Sequence, residues 1–192
     1  MKVKLGDVVS LRKEQILPKI TSEKIYVGLE HIDPGEAKLA RWGDISEVKS
    51  SKNLFYPKDI LYGKLRPYLD KAVIASSEGV CSTDILVLSP QKNIVSEFLV
   101  NLLHLSDFIN FAISGTSGTN HPRTSWNHIK EFHFFLPLLP EQHEIAEILQ
   151  TVDQKIEIEQ KKKMLYEELF KSMLNQLMTG KIRVNNIKFT EI

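Results

Sequence analysis

The chain has 192 residues and a mass of 22.0 kDa, and 42% of its residues are hydrophobic, which suits one globular domain with an appendage. Its net charge of +1 excludes an overall basic character, so any binding of nucleic acid must depend on a local patch. The single cysteine, Cys81, excludes an intrachain disulfide and a cysteine-rich metal site. The N-terminus lacks the apolar core of a signal peptide and no apolar run reaches about 18 residues, so we expect a soluble, cytoplasmic protein without membrane contact.

Short segments rich in β-branched and aromatic residues dominate the first half of the chain and predict β-strands. These strands are expected within residues 24–32, 36–58, 59–69, 71–75 and 81–90. The first of them ends at the turn sequence Asp33-Pro34-Gly35. Because the segments follow one another too closely for crossover helices, the pattern predicts a curved, mostly antiparallel sheet.

The spacing of apolar residues changes to a helical period over residues 94–113, which predicts one helix packed on the sheet. A polar loop follows at residues 114–125. Ser125 is suited to cap a short helix that runs to Glu131, and residues 132–138 are typical of a last strand. Together with the strands, the helix at residues 94–113 predicts an α+β globular domain.

A long uninterrupted helix is predicted for residues 141–179, because this stretch contains no Gly or Pro and has apolar residues at steps of three and four. Pro140 suits the first helical position, and Gly180 supplies the left-handed conformation that commonly ends a helix. At about 1.5 Å per residue the helix would be roughly 58 Å long. The repeat predicts a coiled-coil seam formed by Ile145, Leu149, Val152, Ile156, Glu159, Lys163, Tyr166, Phe170, Met173 and Leu177.

This seam predicts a partner for the helix, because a rod of that length would exceed the width of the preceding domain. The alternative is a long helix that folds back on its own domain. Glu159 and Lys163 lie near the middle of the seam, where they would face their opposites in an antiparallel pair. The predicted organisation is a domain at residues 1–140, a coiled-coil helix at 141–180 and a tail at 181–192.

The patterns that usually mark catalytic and metal sites are absent from the sequence. None of the six histidines belongs to an HExxH pair, and one cysteine cannot complete a common zinc set. The glycine-rich nucleotide-binding motifs and the serine motif of hydrolases are also missing. We therefore expect no catalytic centre, no metal and no cofactor in this chain.

Hydrogen-bond donors and aromatic side chains occur together in several loops, a composition that favours nucleic-acid binding. Arg and Lys can reach guanine edges or phosphates, and Asn can pair with adenine. Taken alone, each cluster is also typical of a solvated loop. The candidate DNA-contacting residues are, in order of preference, Thr116, Ser117, Thr119, Asn120 and Arg123, then Lys64, Arg66 and Tyr68, then Arg41, Trp42 and Lys52. Lys49 shares a short segment with Lys52.

Several segments resemble, in their order and spacing, the specificity subunits of type I restriction-modification systems. They are KLGDVVSL near the start, YVGLEHI at 26–32, DILYGKLRPYLDKAVIA at 59–75, CSTDILVLSP at 81–90 and GTNHPRTSWNHIKEFHFFLPLLPEQHEIAEIL at 118–149, followed by the long helix. The resemblance extends to about residue 183. Arg66 and Trp126 fall within its shared parts, which favours a structural role for both.

The resemblance implies a target-recognition domain that reads double-stranded DNA, followed by a helix that spaces it and docks methyltransferase subunits. Full-length members carry two such domains and two such helices, so this chain resembles a half-subunit that would pair as a homodimer on a bipartite, inverted-repeat site. S-adenosylmethionine, Mg²⁺ and ATP would then belong to partner methyltransferase and restriction subunits. The alternative function is a non-catalytic adaptor that recruits proteins through the coiled coil.

Overall fold

The computed structural model describes residues 1–17, 24–45 and 50–184, and within them the chain forms eleven strands and five helices. The strands are β1 (Lys2–Lys4), β2 (Val9–Leu11), β3 (Gln15–Ile16), β4 (Ile25–Val27), β5 (Gly43–Asp44), β6 (Lys52–Phe55), β7 (Ile60–Gly63), β8 (Ala72–Ile74), β9 (Gly79–Cys81), β10 (Ile85–Pro90) and β11 (His133–Phe135). The helices are α1 (Leu5–Val8), α2 (Ser96–Leu103), α3 (Ser106–Ser114), α4 (Trp126–Ile129) and α5 (Leu139–Met178). Lys49 and the part of the predicted tail from residue 185 onwards lie outside the described residues.

The strands belong to three sheets in which most neighbours are antiparallel. A four-stranded sheet has the order β2-β10-β7-β8, and a five-stranded sheet has the order β3-β6-β9-β4-β5. β1 and β11 form a separate two-stranded sheet, and β4 runs parallel to β9. The predicted α+β class is therefore confirmed, with the strands divided among three sheets where the sequence suggested one.

The four-stranded sheet lies in the middle of the core and is buried on both faces. One face, which includes Ile60 and Leu88, packs against apolar residues of α2 and α3. The other face, which includes Leu61 and Val87, packs against apolar residues of the five-stranded sheet. Because successive side chains of a strand point to opposite faces, burial on both sides explains the continuous apolar runs of β7 and β10.

The strand predicted at residues 24–32 is limited to β4. The backbone N–H of Gly28 donates to the ring nitrogen Nδ1 of His31 at 2.9 Å, and the chain closes into a 3-10 turn at Leu29–His31. Gly35 then adopts a φ of 74°, which confirms the turn predicted at this position. The shortened strand leaves a loop at one edge of the five-stranded sheet.

The strand predicted at residues 59–69 ends at Gly63, where β7 ends. Arg66 and Asp70 adopt left-handed conformations, with φ of 52° and 50°, on either side of a 3-10 turn at Pro67–Leu69. A residue in this conformation cannot continue a strand, so the chain leaves the sheet as a loop. The polar residues that follow Gly63 therefore lie in a loop beyond the end of β7.

The single helix predicted for residues 94–113 is wrong, because two helices, α2 and α3, occupy this stretch. The break follows His104, whose ring lies 2.7 Å from Asp70 Oδ1 and 3.0 Å from the carbonyl oxygen of Ala72. Leu105 is extended and exposed before α3 begins. The apolar period continued through the break, so the sequence pattern alone did not reveal it.

The last part of the domain contains the predicted elements in shorter form, since α4 ends at Ile129 and not at Glu131, and the strand predicted at 132–138 is limited to β11. The side chain of Ser125 accepts a hydrogen bond from the His128 N–H at 3.3 Å and caps α4. The long helix α5 begins at Leu139, two residues earlier than predicted, and runs for 40 residues. Gly180 adopts a φ of 71°, which confirms the predicted left-handed helix end.

Two compact units make up the chain, Met1–Ala146 and Glu147–Ile192. The predicted boundary at residue 140 falls at the start of α5, and the first unit includes roughly two turns of this helix. Gln142 and Ala146 are the buried residues of α5, and both belong to the first unit. The division of functions between domain, helix and tail stays a prediction.

Candidate nucleic-acid interface

The turn between β9 and β10 connects polar loops from both larger sheets. The backbone N–H of Lys64 donates to the carbonyl oxygen of Asp84 at 3.0 Å, and the N–H of Ser82 donates to the carbonyl oxygen of Val27 at 2.9 Å. These bonds place the ends of β4 and β7 beside the start of β10. This edge of the domain is named the open end, and it consists of residues 64–70, 82–84 and 117–123.

The loop between Ser117 and Arg123 is closed at its base by two backbone hydrogen bonds. The N–H of Ser117 donates to the carbonyl oxygen of Arg123 at 3.1 Å, and the N–H of Arg123 donates to the carbonyl oxygen of Ser117 at 3.0 Å. Gly118 adopts a φ of 91°, a conformation that favours glycine, which lets the chain turn tightly after the first of these residues. Thr119 and Asn120 are exposed in the loop, so it presents polar side chains to solvent.

Arg123 is held by a bidentate ion pair with Asp84. Its Nε lies 2.8 Å from Oδ1 and its Nη2 lies 3.3 Å from Oδ2, while Nη1 donates to the carbonyl oxygen of His121 at 3.3 Å. The hydrogen bond from Arg123 lowers the pKa of Asp84, and the same bond raises the pKa of the guanidinium. The residue that sequence reasoning ranked first as a base reader therefore already engages three of its nitrogens within the protein.

The segment that follows β7 connects this loop to the four-stranded sheet. The N–H of Arg66 donates to the carbonyl oxygen of Pro122 at 2.7 Å, and the N–H of Thr124 donates to the carbonyl oxygen of Lys64 at 3.0 Å. Among the described residues, the Nε of Arg66 is buried without a hydrogen-bond partner. Tyr68 is 54% exposed, so its ring remains available at the surface.

Arg41 and Trp42 are linked to the open end through the turn at residues 33–35. The N–H of Gly35 donates to the carbonyl oxygen of Asp70 at 2.9 Å. Arg41 forms an ion pair with Asp33 in this turn, and Trp42 is 55% exposed. Both candidates therefore lie beside the open end and outside its three segments.

Lys52 lies at the edge of the five-stranded sheet that faces the turn between β9 and β10. The register pairs Asn53 with Cys81, so the preceding residue of β6 reaches the level of Ser82. The ammonium of Lys52 donates to the hydroxyl oxygen of Ser50 at 2.6 Å. The structure therefore adds a positive charge from a second sheet to this edge.

Thr116 differs from the other candidates because its hydroxyl donates to the carbonyl oxygen of Ile113 at 2.8 Å, at the end of α3. The candidates that the fold brings to one edge are Lys52, Lys64, Arg66, Tyr68, Ser117, Thr119, Asn120 and Arg123. Contact of each with DNA stays a prediction. Within the described ranges, no group of three or more His, Cys, Asp or Glu residues could hold a metal.

The opposite end of the four-stranded sheet, where β7 begins and β10 ends, contains buried polar groups. Asp59 is 3% exposed and accepts hydrogen bonds from Arg12 Nε at 2.8 Å, Arg12 Nη2 at 3.1 Å and the N–H of Tyr56 at 2.9 Å. The hydroxyl of Ser96 donates to the carbonyl oxygen of Lys58 at 2.8 Å, which joins α2 to this edge. The closed end is the name given to residues 12, 56–59, 93–96 and 142.

Gln142 is fully buried at the closed end and uses both its amide donors and its oxygen. Its Oε1 accepts from the N–H of Val95 at 3.0 Å, and its Nε2 donates to the carbonyl oxygens of Asn93 and Pro137, each at 3.0 Å. These bonds fasten the first turns of α5 to the segment before α2. Sequence reasoning missed both this residue and Asp84, because no local pattern identifies either partner.

The predicted seam of α5 is exposed over most of its length. Ile145 and Leu177, near its two ends, are partly covered. The exposed seam residues are Leu149, Val152, Ile156, Glu159, Lys163, Tyr166, Phe170 and Met173. An exposed apolar surface of this extent is typical of a site that binds another protein.

Comparison with known proteins identifies the family of this domain. The family model described as the type I restriction modification DNA specificity domain matches residues 1–167. The chain belongs to this family. A curated relative, the type I restriction enzyme EcoDI specificity subunit of Escherichia coli, is 34% identical over 124 residues, which cover 64% of this chain and 28% of the relative. The MjaVIII specificity subunit of Methanocaldococcus jannaschii is 36% identical over 99 residues, which cover 51% of this chain and 23% of that protein.

Solved structures show the same fold for this type I specificity domain. The HsdS subunit of Thermoanaerobacter tengcongensis has a TM-score of 0.72 at 18% identity, covering 98% of this chain and 51% of that chain. A chain from a structure of a type I R-M system has a TM-score of 0.73 at 18% identity, covering 99% of this chain and 51% of that chain. This specificity-domain chain thus spans about half the length of the solved chains and 28% or less of the two curated relatives.

Membership of the type I specificity family confirms the resemblance read from the sequence. The relatives are named specificity subunits, so the prediction of a recognition component without catalysis of its own is confirmed at the level of the family. Among the described helices, none combines the length and the apolar character needed to cross a membrane.

Proposed function

We propose that this specificity-domain chain is a half-subunit that binds a defined sequence of double-stranded DNA. The observation that carries the proposal is that a chain matching 51% of a solved specificity subunit contains one specificity domain and one helix with an exposed apolar seam. A second copy would supply the other half and cover the seam. The polar open end supports the DNA side of the proposal, because donors from two sheets converge there.

The order of residues along the seam favours an antiparallel pair of helices. Ile145 and Leu177 each lie 16 residues from Lys161, and the other seam residues form similar pairs down to Glu159 and Lys163. In an antiparallel pair centred on Lys161, Glu159 would face Lys163 of the partner subunit. A parallel pair would place like charges opposite each other at both positions, which is unfavourable. Charge complementarity therefore selects the antiparallel register.

Two specificity domains related by a two-fold axis would read a bipartite, inverted-repeat site. In this proposal the paired helices set the distance between the half-sites and dock methyltransferase subunits. S-adenosylmethionine, Mg²⁺ and ATP bind to those subunits and to a restriction subunit. The assembly binds DNA in the cytoplasm. Co-purification of a methyltransferase subunit that then methylates one defined site tests the docking.

Selection of binding sites from a pool of randomised duplexes tests the DNA-binding proposal. We expect an enriched inverted repeat whose affinity falls steeply with salt, because phosphate contacts release counterions. Enrichment of asymmetric sites would reject the two-fold arrangement. Absence of any salt-dependent DNA affinity would favour the adaptor function, in which the exposed seam recruits other proteins.

Light scattering tests the pairing of the helices. We expect a mass near twice 22.0 kDa for the unmodified chain, and Glu159→Lys should weaken dimerisation at least about tenfold because lysines would face each other. The double variant Glu159→Lys with Lys163→Glu restores opposite charges and serves as the matched control. A monomer at all micromolar concentrations, or a double variant as weak as the single one, would contradict the antiparallel register.

A further inference from the structure

We propose that Asp84 is a positioning residue for sequence reading, which acts through Arg123 on the loop that carries Thr119 and Asn120. This inference rests on the proposed DNA-binding function. It gives Arg123 a role different from the base contact predicted from the sequence. The guanidinium fixes the loop, and the exposed side chains of the loop contact the bases.

The carboxylate of Asp84 stands on a rigid support. Its own N–H lies 3.3 Å from the hydroxyl oxygen of Ser82, and its carbonyl oxygen accepts from the Lys64 N–H at 3.0 Å. The flanking strands β9 and β10 are buried over most of their length. A side chain that binds Asp84 is therefore tied to the core of the domain.

The loop has few other connections to that core. Its base is closed by the reciprocal backbone bonds of Ser117 and Arg123, and Pro122 accepts one bond from the N–H of Arg66. The pair between Arg123 and Asp84 adds two side-chain bonds with fixed, forked geometry. Loss of the pair would leave the tip of the loop free to take other orientations.

The ion pair with Asp84 occupies the Nε–Nη2 fork of Arg123, so this fork is not available to a base. Guanine recognition uses two guanidinium donors that point the same way, and the Nε and Nη2 donors on one edge already bind Asp84. Asn120 is exposed in the loop and carries an amide that can pair with the edge of adenine. The loop therefore offers a reader of its own once Arg123 is assigned to positioning.

The test compares three variants, Asp84→Asn, Arg123→Ala and their combination, on the duplex that the unmodified chain selects and on a shuffled duplex. We expect each single variant to lower the ratio of selected to shuffled affinity by about tenfold. We expect the combined variant to be no worse than Arg123→Ala, because both changes break one pair. Asp84→Asn should also hold or raise affinity for the shuffled duplex, since it removes a negative charge near the phosphates.

The opposite pattern would overturn the inference. If Arg123 reads a base independently of Asp84, Asp84→Asn keeps or raises the ratio while Arg123→Ala lowers it. Unchanged ratios in both variants would overturn it as well. Arg123→Lys gives a second measurement with Asp84 intact, since lysine keeps the charge but lacks the fork. We expect Arg123→Lys to lower the ratio of selected to shuffled affinity. A ratio equal to that of the unmodified chain would reject the positioning role.

Glu131→Gln is the matched control. It removes the same charge and breaks another surface pair, Glu131 with Lys4 at 2.7 Å, at a site outside the open end. We expect its affinity ratio to equal that of the unmodified chain. If the unmodified chain itself does not distinguish the two duplexes, the proposed function fails, which is a different result from a failure of the positioning role.

Discussion

The closed and open ends of the four-stranded sheet contain the same kind of ion pair in different surroundings. At the closed end Arg12 binds Asp59 through Nε and Nη2, and the carboxylate side chain keeps 3% of its accessible surface. At the open end Arg123 binds Asp84 through the same two nitrogens, and the carboxylate side chain keeps 27%. Burial therefore separates a pair that belongs to the fold from a pair that stands where a ligand can approach.

Other polar groups follow the same division. Among the described residues, four polar side chains are buried, and three of them, Asp59, Ser96 and Gln142, lie at the closed end. Each of these three has hydrogen-bond partners within the protein. The open end instead presents half-exposed or exposed polar side chains on loops. One end of the sheet thus anchors α5, and the other presents polar side chains to solvent.

The largest effect is expected from breaking the pair at the closed end. Asp59→Ala should lower the free energy of unfolding by about 3 to 5 kcal/mol, because three donors, Nε and Nη2 of Arg12 and the N–H of Tyr56, would lose a buried carboxylate. Arg12 would keep only its bonds to Glu14 and Ser89. Urea denaturation of the variant and the unmodified chain measures the loss. The affinity ratio of the folded variant for selected and shuffled duplexes should not change. A loss below about 1 kcal/mol would show that burial does not distinguish the two pairs.

A smaller loss is expected from Gln142→Leu at the same end. The change leaves the N–H of Val95 and the carbonyl oxygens of Asn93 and Pro137 without partners, so the free energy of unfolding should fall by about 2 to 4 kcal/mol. Urea denaturation measures this loss also. Gln154→Leu, on the exposed part of α5, is the control and should stay within about 0.5 kcal/mol. Equal losses in the two variants would contradict the anchoring role.

At the open end, acid should reveal the pair with Arg123. In the folded state the hydrogen bond from Arg123 lowers the pKa of Asp84 below its ordinary value of about 3.9. The pair therefore stabilises the fold fully above that pH. This stabilisation disappears as the pH falls through the lower folded-state pKa. The unmodified chain should therefore lose more stability than Asp84→Asn between neutral pH and about pH 2, by less than about 1 kcal/mol because the pair is at the surface. Thermal unfolding across this range checks the difference, and parallel curves would contradict it.

The smallest effect on stability is expected for Asn120→Ala in the exposed loop. The free energy of unfolding should change by no more than about 0.5 kcal/mol. Discrimination between the selected duplex and one with a single base changed should fall by roughly 1 to 3 kcal/mol, if the amide reads that base. Competition binding measures the discrimination, and Gln91→Ala, near the closed end, is the control. Unchanged discrimination would remove Asn120 from the interface.

The cap of α4 and the end of α5 were predictable because they depend on neighbours within a few residues. Ser125 caps α4 and Gly180 follows α5 in the left-handed conformation, as their residue types predict. The break after His104 was missed, because its bonds to Asp70 and Ala72 cross 34 and 32 residues of chain. The spacing of apolar residues predicts which face of a helix is buried. It does not predict a hydrogen bond such as that from the His104 ring to the carbonyl oxygen of Ala72 in β8.

The sequence by itself determined the α+β class, the long helix with its seam, and a set of polar loops with the composition of a DNA-binding surface. It did so because periodicity, capping and residue type are local properties. The tertiary structure alone decided that these loops meet at one edge, that Asp84 holds Arg123 across 39 residues, and that Gln142 anchors α5 by bonding to Val95 across 47. Such pairings follow from strand register and burial, which place residues that are distant in the chain within hydrogen-bond reach.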